Sequence, residues 1–501
     1  MDPRRRHRSR TRLLRLARLA GFVAIAMCGA LLSIAIGDAL YSTTLAELRP
    51  WHTARLQHEF RARQAGDGYG FDAYLAQEQR LFDEVAQLRA AQFDPVRDTQ
   101  ASRYAADGGP YARRADRDWN RSYVLQATPA KGVALLIHGL SDSPYALRSV
   151  ALALQRDGVT VYGLRLPGHG TIPGALDHAD WHDWLAAVGL TVRQIRRDHP
   201  DSPFWMVGFS TGATLALKHT ADAVDAGRTD LLPRRLILLS PALGVSPFAP
   251  LANVQRLLSR WGVAQKARWA NVGFEIDPFK YESFAKNAGA QIASLIRTLY
   301  ADLDRMDRDG SIGRLPPILT FQSMVDATVS TPDLAERFYG VLRGGSSELV
   351  LFDVNRAAGL EALLTFSPKT VIEAFHRAAR RDYRLTVVQN AQGAWSVVER
   401  SWPPGGVETD VVERPLPHAW PAGVFSLSHV ALPIAPDDPI YGLSAPAAPD
   451  GLPSLGALAL RGERGVLAIA PVDQLRLRSN PFFGYVIERI AAAVAQDAVP
   501  R

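Results

Sequence analysis

An alternation constrains this chain more than any other feature. From about residue 120, short apolar runs take turns with stretches of helical periodicity. Residues 122–126, 133–138, 159–165, 204–209, 236–239 and 318–322 read as strands. Several are nearly uninterrupted apolar sequences, the pattern of strands covered on both faces. Helical stretches at 144–156, 181–197 and 213–226 separate them. Strands that must be buried on two sides predict a mostly parallel sheet with helices packed above and below it. A last helix is expected over 481–495, capped by Asn480.

Two long segments interrupt the alternation. Residues 244–314 combine helical patterns with aromatics at Phe248, Trp261, Trp269, Phe274, Phe279 and Tyr281, which suggests a cap. Residues 355–421 hold a helix over 369–381 and then β-like runs at 383–389 and 395–398, which suggests a second insertion, and a Pro/Ala-rich loop follows at 442–455. Upstream, 44–64 and 71–93 both read as helices. The second has one apolar face, with Phe71, Tyr74, Leu75, Phe82, Val85 and Leu88 at three- to four-residue spacing. Residues 38–119 therefore suit a stalk or a brace against the domain at 120–501.

The formal charge of +7 resembles a nucleic-acid signature until the charges are located. Residues 1–18 carry eight arginines and one acid, Asp2, which accounts for all of it. The remaining chain is close to neutral, so the main argument for a nucleic-acid partner disappears. The single cysteine, Cys28, precludes an intrachain disulfide, a cysteine-ligated zinc site and a thiol nucleophile in the body.

Residues 19–37 contain no charge. A helix of that length rises about 28 Å, close to the roughly 30 Å of a bilayer's hydrocarbon core. With the arginines before it and Asp38 and Glu47 after it, the positive-inside rule keeps residues 1–18 in the cytoplasm. The rest of the chain is then placed on the far, periplasmic or extracellular side of the cell membrane. A cleavable signal peptide is the competing reading, although its apolar stretch is usually shorter.

The chemistry concentrates at three places. Residues 204–212, FWMVGFSTG, are an apolar strand running into Gly-x-Ser-x-Gly and then a helical pattern. A serine on so sharp a strand-to-helix turn crowds its neighbours, so Gly208 and Gly212 must be nearly side-chain-free. Ser210 is thereby the candidate nucleophile. A second strand, 133–138, ends in His138-Gly139-Leu140. A tetrahedral oxyanion needs two backbone donors, and the amides of Leu140 and Thr211 are the candidates. His138 would then shape the loop. His178, Asp180 and His182 have the spacing of a zinc pair, but no third ligand accompanies them, and Trp181 and Trp184 suggest packing, so no metal is expected.

HGLSDSPYALR, RLPGHGT, GFSTG and SHVALP together resemble the α/β-hydrolase superfamily, in particular its branch of serine aminopeptidase-like, monoacylglycerol lipase-like and carboxylesterase proteins. The resemblance covers roughly 120–330 and 422–496. It implies an α/β-hydrolase fold and the order nucleophile, acid, histidine. Asp326, just past the strand at 318–322, matches the family's acid. His429, in SHVALP, matches its base, ahead of His418 in PLPHAWP and His376 in a helical pattern. One departure stands out: His429 follows the last long strand, 348–354, by about 75 residues. Either 355–421 is an insertion, or 423–427 adds a strand of its own.

Ser210, Asp326 and His429 imply a serine hydrolase needing no cofactor, and the anchor and aromatic cap point to a lipid, lysophospholipid or other acyl ester. Trp261 and Trp269 are the expected walls of an acyl pocket. An acyltransferase or a peptidase could use the same triad. A non-catalytic membrane-anchored scaffold is the alternative of another class.

Overall fold

Along the strand Gly132–Ile137, Val133, Leu135 and Ile137 enter one core cluster while Ala134 and Leu136 enter another. This period-two division explains why the run carries no polar residue: both of its faces are covered. The computed structural model describes residues 18–498 apart from 20, 24, 27–28, 31–32, 34–35, 67, 95–101, 106–107, 245–264, 360, 365–371, 374, 376–380, 408, 447–450 and 459–474.

The strands are β1 (Tyr123–Leu125), β2 (Gly132–Ile137), β3 (Val159–Leu164), β4 (Phe204–Phe209), β5 (Arg235–Leu239), β6 (Trp269–Asn271), β7 (Phe284–Ala285), β8 (Ile318–Ser323), β9 (Ser347–Phe352), β10 (Tyr383–Asn390), β11 (Ser396–Trp402) and β12 (Val412–Ala419). Ten of them form one sheet in the order β1-β3-β2-β4-β5-β8-β9-β10-β11-β12, and β6 pairs with β7 apart from it. From β3 through β10 the pairing is parallel throughout. β1 at one end and β11 and β12 at the other run antiparallel to their neighbours. The chain leaves β2 for β3 on one side and later crosses back to β4 on the other. The strand order reverses there, so the loops after β2 and β4 diverge and leave a crevice between them.

The longer helices are α1 (Phe71–Gln92), α2 (Arg148–Arg156), α3 (Trp181–Asp198), α4 (Thr211–Asp225), α5 (Lys286–Asp309) and α6 (Phe483–Ala498). Helices α3, α4 and α5 share a core with one face of the sheet, and α2 and α6 with the other. Asn480 accepts a bond from the amide of Phe482 at 2.8 Å just ahead of α6. This is the mostly parallel, helix-flanked sheet expected of the alternation.

Three segments depart from expectation. Residues 44–64 form only a single turn, Pro50–Thr53, and a short 3₁₀ piece, Ala62–Gln64. Side chains of other elements take their amides instead: Glu84 accepts from Gln57 and His58, and Asp183 from Ala62. The segment lies along the body, with Trp51, Leu56 and Phe60 buried, rather than coiling on itself. Phe71 and Tyr74 of α1 join the main core, and Arg165 pairs with Glu59 and Glu78 out of water. Second, the described part of 244–314 is not a helical lid. It is the β6–β7 hairpin followed by α5, whose Leu295, Leu299 and Leu303 lie in the main core. Third, 355–421 extends the sheet by β10, β11 and β12, and 423–427 adds no strand. Prolines 415 and 417 leave the β12 edge without two N–H donors, which suits a strand that ends a sheet.

The expected span at 19–37 falls partly on residues outside the described set. Among the described residues, no helix is long and apolar enough to cross a membrane.

Candidate active site

Ser210 sits between β4 and α4 with φ 52° and ψ −117°, which residues bearing a Cβ seldom adopt. Its surroundings enforce that backbone. The Ser210 amide donates to the carbonyl of Leu239 on β5 at 2.9 Å, and its carbonyl accepts from Ala213 at 3.0 Å. The flanking glycines are required by space. A Cβ on Gly208 would overlap the backbone of Ala213, and one on Gly212 would overlap the carbonyl of Ile137. Helix α4 thus starts against the end of β2, with its positive end directed at the crevice.

Three non-glycine residues have positive φ among the described residues, and all are serines: Ser141, Ser210 and Ser240. They follow β2, β4 and β5, so the backbone strain collects at the carboxyl ends of the parallel strands, as it does at functional sites.

His138 directly follows β2 and is buried. Its Nε2 accepts from the amide of Leu166 at 3.0 Å, which leaves Nδ1 to donate to the carbonyl of Gly139 at 2.8 Å. Burial, reinforced by the neighbouring His169, holds its pKa well below the usual histidine value. A neutral ring with both nitrogens engaged shapes the Gly139–Leu140 loop and is poorly suited to proton transfer. His169 is likewise packed, its ring 5.0 Å from that of His138 and 5.7 Å from that of Trp184.

Asp326 follows β8 on a short loop. Its Oδ1 accepts from the amides of Thr328 and Val329 at 2.8 and 3.0 Å, and its Oδ2 accepts from His429 Nδ1 at 2.8 Å. Both side chains are buried. Burial alone would raise the Asp326 carboxyl, but the attraction and hydrogen bond of His429, with the two amides, outweigh it and lower the pKa. The carboxylate therefore stays charged, and the His429 ring presents its other nitrogen. That ring lies 5.2 Å from Phe209, the residue before Ser210.

The distance of His429 from β9 along the chain has a simple resolution. The amide of Asn355 donates to the carbonyl of Phe425 at 2.7 Å, and its Nδ2 to that of Val424 at 2.9 Å. The insertion leaves and returns at one place. Ser323, at the end of β8, then ties the loop to the acid's strand through Oγ to the carbonyl of Leu427 at 2.8 Å.

A cavity opens beside these groups. Ala146, Phe209, Phe279, Val430, Ile434 and Tyr441 supply apolar surface, with Phe209 and Val430 adjoining Ser210 and His429 in sequence. Asp142, Asp277, Lys280, Glu282, Arg476 and Arg478 supply charge. None of these six was legible as a site residue, because the chain gathers them from distant loops. Trp269, an expected acyl-pocket wall, lies elsewhere: it is 1% exposed and packs 4.9 Å from the ring of His52 in the core. Trp261, Phe248 and His376 fall outside the described residues. His418 lies on β12, its ring 6.2 Å from Phe482, away from the acid. Asp180 caps α3 by accepting from the amide and ring of His182, and His178 donates its amide to Ala175.

The chain is similar to known proteins over part of its length. The family described as serine aminopeptidase, S33, matches residues 128–345. A thermostable monoacylglycerol lipase of Bacillus sp. (strain H-257) is 34% identical over 83 residues, 17% of this chain and 32% of that lipase. The match thus spans about a third of the length of that curated relative. Among solved structures, a metagenome-derived lipolytic enzyme from work on LipS and LipT is 20% identical with a TM-score of 0.37, covering 51% of this chain and 98% of the other. The monoacylglycerol lipase of Paleococcus ferrophilus is 17% identical with a TM-score of 0.35, covering 46% and 88%.

Proposed function

The chain belongs to the α/β-hydrolase superfamily, and from that premise we propose that it hydrolyses carboxylic esters with Ser210 as nucleophile. The observation that carries this reading is the buried pair of His429 and Asp326 at 2.8 Å, 103 residues apart in sequence, with Asp326 just past the carboxyl end of β8 as strained Ser210 is past that of β4. Ser210 Oγ attacks the carbonyl carbon while His429 Nε2 takes its proton. Asp326 holds the Nδ1 proton in place and stabilises the imidazolium that forms. The amides of Leu140 and Thr211 receive the oxyanion, each contributing about 3–4 kcal/mol when compared with its removal. The imidazolium passes its proton to the departing alcohol, and water releases the acyl group by the reverse sequence.

The cavity suits an amphiphilic ester, such as a lipid or lysophospholipid, with apolar chain against Phe279 and Ile434 and a polar portion against the charged wall. Residues 19–37 would anchor the enzyme in the cell membrane, with the arginine-rich end in the cytoplasm and the catalytic domain on the opposite side. Leu19, Phe22, Val23, Ile25 and Ile36 are each more than half exposed, which supports an apolar environment for them.

Labelling with a fluorophosphonate and cleavage of p-nitrophenyl esters test the reaction. Wild-type protein should label and turn over, and Ser210→Ala should do neither. His429→Ala and Asp326→Asn should each be severe and should add little to Ser210→Ala, since such groups act as a unit. Undiminished turnover by Ser210→Ala overturns the assignment. A reporter active only outside the cytoplasm, fused after Arg501, tests the topology, and an inactive fusion of an otherwise intact protein refutes it.

A further inference from the structure

The loop carrying the Leu140 amide is held in shape by residues that no motif marks. Ser141 has φ 63°, a conformation that a residue with a Cβ keeps only when its neighbours impose it. Two consecutive residues do so. The amide of Tyr281 donates to the carbonyl of Ser141 at 2.9 Å. The ammonium of Lys280 donates to Ser141 Oγ at 3.0 Å and to Asp142 Oδ1 at 2.6 Å. These two residues are themselves fixed. Asp277 accepts from the amides of Phe279 and Lys280 and from the hydroxyl of Tyr441, and it pairs with Arg478 at 3.2 Å. The Tyr281 hydroxyl accepts from the amide of Thr171 at 2.7 Å.

The electrostatics of this arrangement matter more than its shape. Asp142 is buried, and its Oδ2 lies 2.6 Å from the point a Cβ on Gly139 would occupy. A carboxylate is therefore pressed against the peptide that leads into Leu140. An unopposed negative charge there would repel an oxyanion forming on the same loop, at a separation where charges interact strongly even with partial screening. Lys280 supplies the opposing charge. Its side chain is 28% exposed, and pairs with such access to water contribute little to stability. The effect of the pair should therefore appear mainly in the reaction.

We propose that Lys280 is a positioning residue for ester hydrolysis at Ser210: it cancels the charge of Asp142 beside the site where the Leu140 amide receives the oxyanion. This rests on the reading of Ser210 as nucleophile. Lys280 also lines the cavity, so its influence on the reaction has to be separated from binding of a large substrate. A small ester serves that purpose.

The experiment measures p-nitrophenyl acetate hydrolysis by the full chain and by Lys280→Met, Asp142→Asn and the double variant, with Ser210→Ala alongside. Lys280→Met should lower kcat by about 10- to 100-fold with KM changed by less than about threefold. The double variant, which removes the uncompensated carboxylate, should recover most of that loss and should fold even if Lys280→Met does not. A purely structural clamp gives the opposite result, a double variant at least as impaired as Lys280→Met. That outcome, a kcat of Lys280→Met within twofold of wild type, or an impaired double variant where Lys280→Met does not fold, overturns the proposal while Ser210→Ala remains inactive. Full activity in Ser210→Ala instead overturns the reading on which it rests.

Discussion

Asn355 and Phe425 are joined by a backbone hydrogen bond of 2.7 Å although three strands' worth of chain lies between them. That bond lets an insertion widen the sheet without moving the loop that carries His429. Asn355 is 3% exposed, and its side chain also donates to Val424 and accepts from Asn390 at 3.3 Å.

Replacing Asn355 with Ala keeps that backbone bond but removes the side-chain bonds to Val424 and Asn390, and should loosen the His429 loop from β9. Leaving buried partners unsatisfied should cost about 1–3 kcal/mol in denaturant unfolding. Ester hydrolysis should lose kcat more than it gains KM. An unchanged unfolding midpoint and unchanged kinetics would show that the clasp is incidental.

Arg165 is 1% exposed and holds Glu78 at 2.9 Å and Glu59 at 3.3 Å, joining the segment before α1 and α1 itself to the strand β3. Arg165→Met would leave two buried carboxylates without their cation. We expect a loss of about 3–5 kcal/mol, read by urea unfolding. Limited proteolysis should then cut first within 54–92. Wild-type stability in this variant would mean that α1 docks by its apolar face alone.

Glu275 is 1% exposed, and burial raises its carboxyl to about 7 against the partial opposition of Arg103 and its hydrogen bonds from Ser283. A raised carboxyl binds its proton more tightly in the folded state than in the unfolded chain. Its contribution is greatest below the unfolded value of 4.5 and declines as pH rises towards about 7. Glu275→Gln should flatten the fall in melting temperature between those limits. An identical slope in both proteins would place the titration elsewhere.

Trp269 and Phe279 should separate stability from specificity. Trp269→Ala empties a buried site and should cost about 3–5 kcal/mol while affecting all esters alike once folded. Phe279→Ala changes the cavity wall and should alter the dependence of kcat/KM on acyl length, tested with p-nitrophenyl esters of increasing chain. A changed profile for Trp269→Ala with none for Phe279→Ala would reverse their roles.

What the amino-acid order determined by itself is local. Uninterrupted apolar runs such as 133–137 and 204–207 require cover on both faces, and that requirement alone specifies a helix-flanked parallel sheet. Gly208 and Gly212 are legible for a similar reason, since the backbone they accommodate turns within five residues. The extended path of 44–64 was hidden because Glu84 and Asp183, which satisfy its amides, come from other elements. The position of Trp269 in the core was hidden in the same way, since an aromatic residue reads alike in a cavity wall and in a packed interior. Asp326 and His429 could be matched only through the family resemblance, because no local pattern carries their contact, and nothing in the sequence marked the meeting of Lys280 with Asp142, 138 residues before it. A backbone turn depends on the residues that make it, whereas a contact between distant side chains depends on the path of every loop between them.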